Sequence, residues 1–276
     1  MLLPDYKKYL DEDFEVENLL LFSLNDPDPI SLIAIDNFPI LMKAHLQSIY
    51  TAPKNRAKGY ASRLYFHVEE LLKQDNINLI TCNYPEEEVD TKEANPFFHK
   101  IGFSKAKPLV TRYFVDIQEF RPSWFNTTPI IPEGYEIAPF SLTKEESNDL
   151  KIMLRQGTVS IEVNPLEDLP CEPANSLSLR HEGKLVGWMV TKRIDANSIR
   201  YTSFYIDRDL RGTGLASTLL SRSIQLQQDT SIPIAIFEIN NVRSPTPWKK
   251  FILNRLEPFS YDKLFIYDRY KMLNII

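Results

Sequence analysis

Seventeen consecutive residues of this chain recur, without a gap, 155 positions further on. Ser48–Leu64 lies over Ser203–Leu219, and seven of the 17 positions are identical: Ser48/Ser203, Tyr50/Tyr205, Arg56/Arg211, Gly59/Gly214, Ala61/Ala216, Ser62/Ser217 and Leu64/Leu219. Ordinary residue frequencies would supply about one identity. A chain of 276 residues with such a repeat reads as a duplicated unit. Two domains of about 130 residues, each able to bury a core, follow from it.

The repeated stretch carries Arg-x-x-Gly-x-Ala between a strand and a helix, as Arg56, Gly59, Ala61 and as Arg211, Gly214, Ala216. Glycine is scarce, 8 residues in all, so the chain keeps it where the backbone needs φ > 0 or an open approach. A glycine turn lets backbone N–H groups face outward, and the first turn of a helix has donors without an internal partner. The helix dipole adds partial positive charge there, and each arginine adds a full one. The pattern predicts an anion cradle in each half. A P-loop would need Gly-x4-Gly-Lys-Ser/Thr, which is absent. A dinucleotide fingerprint would need glycine at Ser217, and the strands flanking the helix read as antiparallel.

Around the cradles the apolar spacing sets the rest. In the first half, Leu19–Leu24, Ser31–Ile35 and Leu46–Thr51 read as strands. Ala61, Leu64, Tyr65, Val68, Leu71 and Leu72 trace one helix face. Strand 78–82, an acidic loop over Glu86–Asp90 and a short helix near Pro96–Lys100 follow. In the second half, strand 135–140 precedes a helix over 143–155 opened by the capping box of Thr143 and Glu146. A hairpin (176–180 and 184–192), a strand 199–206, a helix 214–227, a strand 232–239, a helix 247–254 and a late strand 264–267 complete it. Prolines 122, 129 and 132 mark 121–134 as a linker. The domains are then 1–120 and 135–276. The expected class is α/β (α+β), each domain a mixed, mostly antiparallel sheet flanked by helices.

Net charge of −5 argues against a nucleic-acid partner. No apolar run is long enough for a membrane span, and Met1–Phe14 is polar and acidic, unlike a secretory signal. Cys82 and Cys171 have neither disulfide-framework nor zinc spacing, so no metal is expected and a reducing cytoplasm is the default. His45, His67, His99 and His181 are scattered and read as surface or core residues.

Strand, Arg-x-x-Gly-x-Ala, helix resembles motif A of the GNAT superfamily of acyl-CoA N-acetyltransferases. In the first half Asn95-Pro96-Phe97-Phe98-His99-Lys100-Ile101-Gly102-Phe103 resembles its motif B, with Phe98 where many members carry a tyrosine. Trp248-Lys249-Lys250-Phe251 is the corresponding stretch of the second half, without the Gly-Phe ending. The resemblance covers nearly the whole chain and implies two tandem GNAT-like domains, the first truncated at its front. It implies acetyl transfer from acetyl-CoA to a primary amine of a small molecule or peptide, by a monomer or homodimer. Cradle residues carried over are Arg56, Ala57, Lys58, Gly59, Tyr60 and Ala61, and Arg211, Gly212, Thr213, Gly214, Leu215 and Ala216. Tyr50, Thr51, Tyr205 and Ile206 stand where a backbone N–H would meet the thioester carbonyl, and Asn240 joins the cofactor set.

Catalysis needs a neutral amine, a polarised carbonyl and a proton for the thiolate. Glu238 is the candidate proton relay and Tyr205 the candidate acid. A solvated strand end and a packing tyrosine are the plainer readings of the same two residues. Glu86-Glu87-Glu88 would attract a cationic amine or be a solvated loop. The second half, with both glycines and a full front, is expected to carry turnover, the first to bind CoA weakly or act as scaffold. A non-catalytic acyl-CoA-binding protein is the alternative; an aminoacyl or peptidyl transferase would need a basic surface that the charge does not promise.

Overall fold

The computed structural model describes residues 18–26, 28–86, 91–125, 131–244 and 246–273. In chain order they form β1 (Leu19–Asp26), β2 (Asp28–Phe38), β3 (Lys43–Thr51), α1 (Tyr60–Gln74), β4 (Leu79–Glu86), α2 (Thr91–Lys100), β5 (Lys107–Asp116), β6 (Tyr135–Pro139), α3 (Lys144–Arg155), β7 (Leu177–His181), β8 (Lys184–Arg193), β9 (Ser198–Ile206), α4 (Leu215–Gln228), β10 (Ile234–Asn240), α5 (Thr246–Phe251) and β11 (Ser260–Met272). Packing divides the chain into two compact units, 1–109 with 265–276, and 110–264.

In the first unit β1, β2 and β3 run antiparallel, β4 lies parallel to β3, and Phe265–Met272 of β11 closes the sheet antiparallel to β4. The apolar face of α1 places Leu64, Tyr65, Val68 and Leu72 against Ile33, Ile35, Leu46 and Ile80. Glu69, on the same helix, is buried. Its carboxylate is met by Lys271 of β11 and by Lys73 at 3.2 Å.

In the second unit the order is β5, β10, β9, β8, β7, β6. Only β9 and β10 are parallel; the other pairs are antiparallel. One face packs Ile199, Tyr201 and Phe237 under Leu215, Leu219 and Ile224 of α4. The other face packs Trp188 and Val190 under Leu150 and Val159, with Leu166 alongside. The capping box forms: Thr143 Oγ1 accepts from Glu146 N–H at 3.1 Å, and Glu146 Oε2 accepts from Thr143 N–H at 2.9 Å.

The repeat runs far beyond seventeen residues. β3 and β9, the 3-10 turns Pro53–Asn55 and Arg208–Leu210, and the starts of α1/α4, β4/β10 and α2/α5 all keep the 155 offset. A π turn at Ile252–Leu256 then adds one residue, as such turns do. At the unchanged offset of 155 Ile252 stands where Phe97 does, and Trp248 falls one helical turn earlier.

Several expectations change. The strands flanking each cradle helix are parallel, not antiparallel, because each helix is a crossover between them. The boundary at 121–134 is not where packing divides the chain. Pro122 and Phe125 are buried, and Phe125 joins the second unit's core with Phe120, so the start of this stretch is packed, while Pro132 is exposed. The late strand is 13 residues long, and Phe265 onward belongs to the first unit. β5 was not read from the sequence. The helix near Pro96 begins at Thr91 and carries the proline inside it. Residues 87–90 and 126–130, including most of the acidic loop, lie outside the described residues, as does the start through residue 17.

Charge is consistent with where the two closing strands go. In register, Arg112 of β5 stands opposite Glu238, and Asp268 of β11 opposite Asn83. Asn83 and Glu238 are equivalent positions of β4 and β10. Had each half kept its own last strand, Asp268 would face Glu238, and like charges directly opposite destabilise a sheet. Lys271 would also meet Ile224, fully buried, in place of Glu69.

Candidate active site

The site begins with a defect at matched positions of the two central strands. Between β2 and β3, Ala34 pairs with Ser48 and Ile35 with Leu46, leaving Gln47 unpaired; between β8 and β9, Val190 pairs with Ser203 and Thr191 with Tyr201, leaving Thr202 unpaired. Such bulges bend a strand and re-aim a side chain, and they cluster beside active sites. Past them the parallel strands part. Pairing of β3 with β4 ends at His45/Thr81, and that of β9 with β10 at Tyr201/Phe237. The end of each central strand thus splays from its neighbour, with the cradle just beyond.

Gly59 and Gly214 cap their helices at φ +83° and +89°, and neither end receives a side-chain cap. The first intrahelical bonds are Arg63 N–H to Gly59 O and Thr218 N–H to Gly214 O, each 3.0 Å, and of the earlier N–H groups of α4 that of Leu215 makes a long bond, 3.4 Å, to Thr213 Oγ1. A Cβ built at either glycine meets no atom within 4 Å. The glycine is required by backbone angle, and the space before it is free for a diphosphate. Ala57 takes φ +59° where Gly212 takes +84°, so the first cradle keeps the same left-handed turn with alanine in it. The residues present fit the diphosphate of CoA.

The remaining sequence candidates are placed as follows. Arg56 Nε donates to Thr51 O at 3.2 Å, Lys58 Nζ to Asn55 Oδ1 at 3.3 Å, and Thr213 Oγ1 to Leu210 O at 2.7 Å. Ser31 Oγ donates to the Tyr50 carbonyl at 2.9 Å. Leu215 and Ile206 are core residues; Tyr60, Ala61 and Ala216 are half-buried, and Arg211 is exposed. Asn240 Oδ1 accepts from the N–H groups of Val242 and Arg243 at 3.0 and 2.9 Å, holding the loop after β10. Tyr205 stacks on Trp188 with centroids 4.4 Å apart, and its hydroxyl donates to Asp207 Oδ1 at 2.9 Å. Burial first, and Asp207 second, push its pKa up to about 12. His45 Nδ1 lies 2.9 Å from Thr81 Oγ1, and His181 stacks on Tyr135.

On the face of the second unit opposite α4, at the fork of β9 and β10, lies a cavity of about 270 Å³. Arg200 and Thr202 of β9, Glu238 of β10 and Arg243 beyond it form the sheet side. Residues 161–168, two 3-10 turns, bring Glu162, Asn164, Glu167 and Asp168 to the other. Glu238 Oε1 accepts from Arg112 Nε at 2.6 Å and lies 3.6 Å from Arg200 Nη1. Asp168 shares a hydrogen bond with Thr202, the bulged residue, and burial raises its carboxyl above the usual aspartate range. The cradle stands at the start of α4 and the cavity on the face opposite that helix, both beside the point where β9 and β10 stop pairing.

Asp168, Thr202, Arg112, Arg200 and Arg243 were not singled out from the sequence. Asp168 and Thr202 are 34 positions apart with no motif linking them; only the acid pair Glu167-Asp168 beside Pro165 hinted at a built turn. Among the described residues no group of three or more His, Cys, Asp or Glu is arranged to hold a metal, and no helix is long and apolar enough to cross a membrane.

Two family models match the chain: an acetyltransferase (GNAT) domain over residues 5–121 and the acetyltransferase (GNAT) family over residues 150–243, together more than half of it. No curated protein matches in sequence. Among solved structures, a tandem GNAT protein from the clavulanic acid biosynthesis pathway has TM-score 0.61 at 14% identity, covering 92% of this chain and 84% of that one. A GCN5-related N-acetyltransferase from Sphaerobacter thermophilus has 0.57 at 15%, covering 98% and 86%. A probable N-acyltransferase from Enterococcus faecalis has 0.52 at 11%, covering 96% and 67%. At such identities these likenesses speak for the fold, and the family models speak for descent. The chain belongs to the GNAT acetyltransferases, a family that moves an acyl group from acyl-CoA to an amine, and it carries two GNAT domains in tandem.

Proposed function

We propose that the second unit transfers an acetyl group from acetyl-CoA to a primary amine, and that the first binds acyl-CoA or serves as scaffold without turnover. The supporting observation is the arrangement at the fork of β9 and β10, with an anion cradle on one face and a carboxylate-lined cavity on the other. In the first unit Ala57 keeps the cradle turn, but Phe98 stacks on Tyr84 and brings no hydroxyl to motif B.

The protons balance as follows. An ammonium entering the cavity gives one proton to Asp168, whose raised affinity for protons suits it to the task. The neutral nitrogen attacks the thioester carbonyl, the C–S bond breaks, and the nitrogen's second proton passes to the thiolate or to solvent. Glu238 Oε1 is occupied by Arg112, so a relay through Glu238 uses Oε2. Tyr205 keeps its proton at neutral pH and remains the candidate donor to the thiolate, at the cost of its bond to Asp207. The cradle's N–H groups hold the diphosphate, and positioning the two reactants across the fork supplies much of the rate. Two free thiols, Cys82 and Cys171, go with a reducing cytoplasm, and the protein acts as monomer or homodimer.

The test is acetyl-CoA binding by calorimetry, followed by thiol release with a panel of amines. Binding with turnover that Gly214→Val abolishes and Gly59→Val spares supports the reading. Binding without release from any amine would leave the acyl-CoA-binding alternative, and failure to bind would remove the reading altogether.

A further inference from the structure

The cavity at the fork is electrically two-sided. Residues 161–168 supply Glu162, Glu167 and Asp168, while the sheet side carries the guanidiniums of Arg200 and Arg243. Part of the sheet-side charge is neutralised internally, since Glu238 is shared between Arg112 and Arg200. What remains for a ligand is the part of the Arg200 guanidinium that lines the cavity, its Nη1 lying 3.6 Å from Glu238, and the exposed Arg243. A guanidinium facing a cavity gains a charge-assisted hydrogen bond when a ligand acceptor reaches it. Arg243, at the cavity's outer edge, has its backbone fixed by Asn240, which sets where its side chain starts.

Resting on the acetyl-transfer reading, we infer that the amine acceptor is a small zwitterion, a free α-amino acid or a close analogue, whose carboxylate is held by Arg200 and Arg243 while its amino group lies toward Asp168. Three observations carry this. The first is size: at about 270 Å³ the cavity has room for an acceptor of about ten non-hydrogen atoms. The second is polarity, because the lining offers few apolar side chains and opposite charges on its two sides. Guanidiniums are the groups whose fork matches a carboxylate. The third is the surplus of carboxylates over guanidiniums, which favours acceptors with a second cationic group over neutral ones. A diamino acid satisfies both sides at once, whereas a plain diamine brings no acceptor to Arg200 and Arg243.

Lysine and cadaverine, or ornithine and putrescine, differ by that carboxylate alone. With the full-length protein and saturating acetyl-CoA, kcat/KM for lysine and ornithine should exceed that of the matching diamine by roughly 10- to 100-fold, the worth of a charged hydrogen-bonded contact. L-lysinamide should fall with the diamines. In Arg243→Gln the advantage should shrink several-fold through KM for the amino acid, with KM for acetyl-CoA unmoved. Diamines or lysinamide accepted as well as lysine would overturn the inference, as would acetyl-CoA binding with no acetylation of any amino acid. Loss of acetyl-CoA binding itself is a different result: it removes the reading on which the inference stands.

Discussion

Arg112 Nε and Glu238 Oε1 are 2.6 Å apart across directly opposed positions of β5 and β10. A wall of the second unit's cavity is therefore braced by a residue encoded 126 positions earlier, within the stretch matched by the first GNAT model. Both side chains are about a quarter exposed, so the pair should add about 1 kcal/mol or less to stability. Its larger effect is to fix where Glu238 points. We expect Arg112→Ala to lower kcat/KM for the amine about tenfold while the thermal midpoint moves only a few degrees, and Arg112→Lys to restore part of the rate. Steady-state kinetics beside a melting curve separates the two effects.

Gly214→Val places a side chain in the open space before α4 and forces a left-handed angle on a β-branched residue, which costs about 1–2 kcal/mol. Acetyl-CoA affinity at the second unit should fall by more than 100-fold, read by calorimetry. Gly59→Val should remove any weaker binding event and leave turnover in place.

Asp168→Asn should cut kcat by about 10²–10⁴ if Asp168 takes the ammonium's proton. Burial raises its carboxyl, so the active, ionised form is lost as pH falls through a value above the ordinary aspartate range. The acid limb of the kcat/KM profile should lie there in the wild type and vanish in Asp168→Asn. An unchanged limb would assign it to another group.

Glu146 serves two partners, the Thr143 N–H of its own capping box and the Arg180 guanidinium, which chiefly holds its carboxyl below the usual glutamate range. A depressed folded value contributes stability that is present above the ordinary pKa and lost as pH falls through the depressed one. Glu146→Ala should cost about 1–2 kcal/mol at neutral pH. Urea unfolding should show the mutant and wild type converging in strongly acidic buffer.

The cradles were legible because they are written in contiguous residues: a left-handed backbone demands glycine, and the helix spacing after it is periodic. Thr143 and Glu146 were legible for the same reason. The cavity was not. Thr202 acts through a one-residue bulge that depends on how Val190 and Thr191 pair with a neighbouring strand, and no local pattern records that. The stretch 121–134 reads as a linker because prolines mark a turn whether or not the turn is packed; the first family model ends at residue 121, while Phe125 packs into the core of the second unit. Parallel pairing of β9 with β10 escaped because a short apolar run looks alike in either orientation.

The crossed closing strands set a clock on synthesis. Domains usually finish folding in the order they are made, at about 5–20 residues per second. Here β4 waits for Phe265–Met272, so roughly 8–30 s pass between the making of Asp116 and of Met272 with one edge of the first sheet lacking its final partner. Removing residues 265–276 should make the wait permanent: amides of β4 should lose protection in hydrogen exchange while those of β9 and β10 keep it, and the exposed strand edge should draw the chain into aggregates.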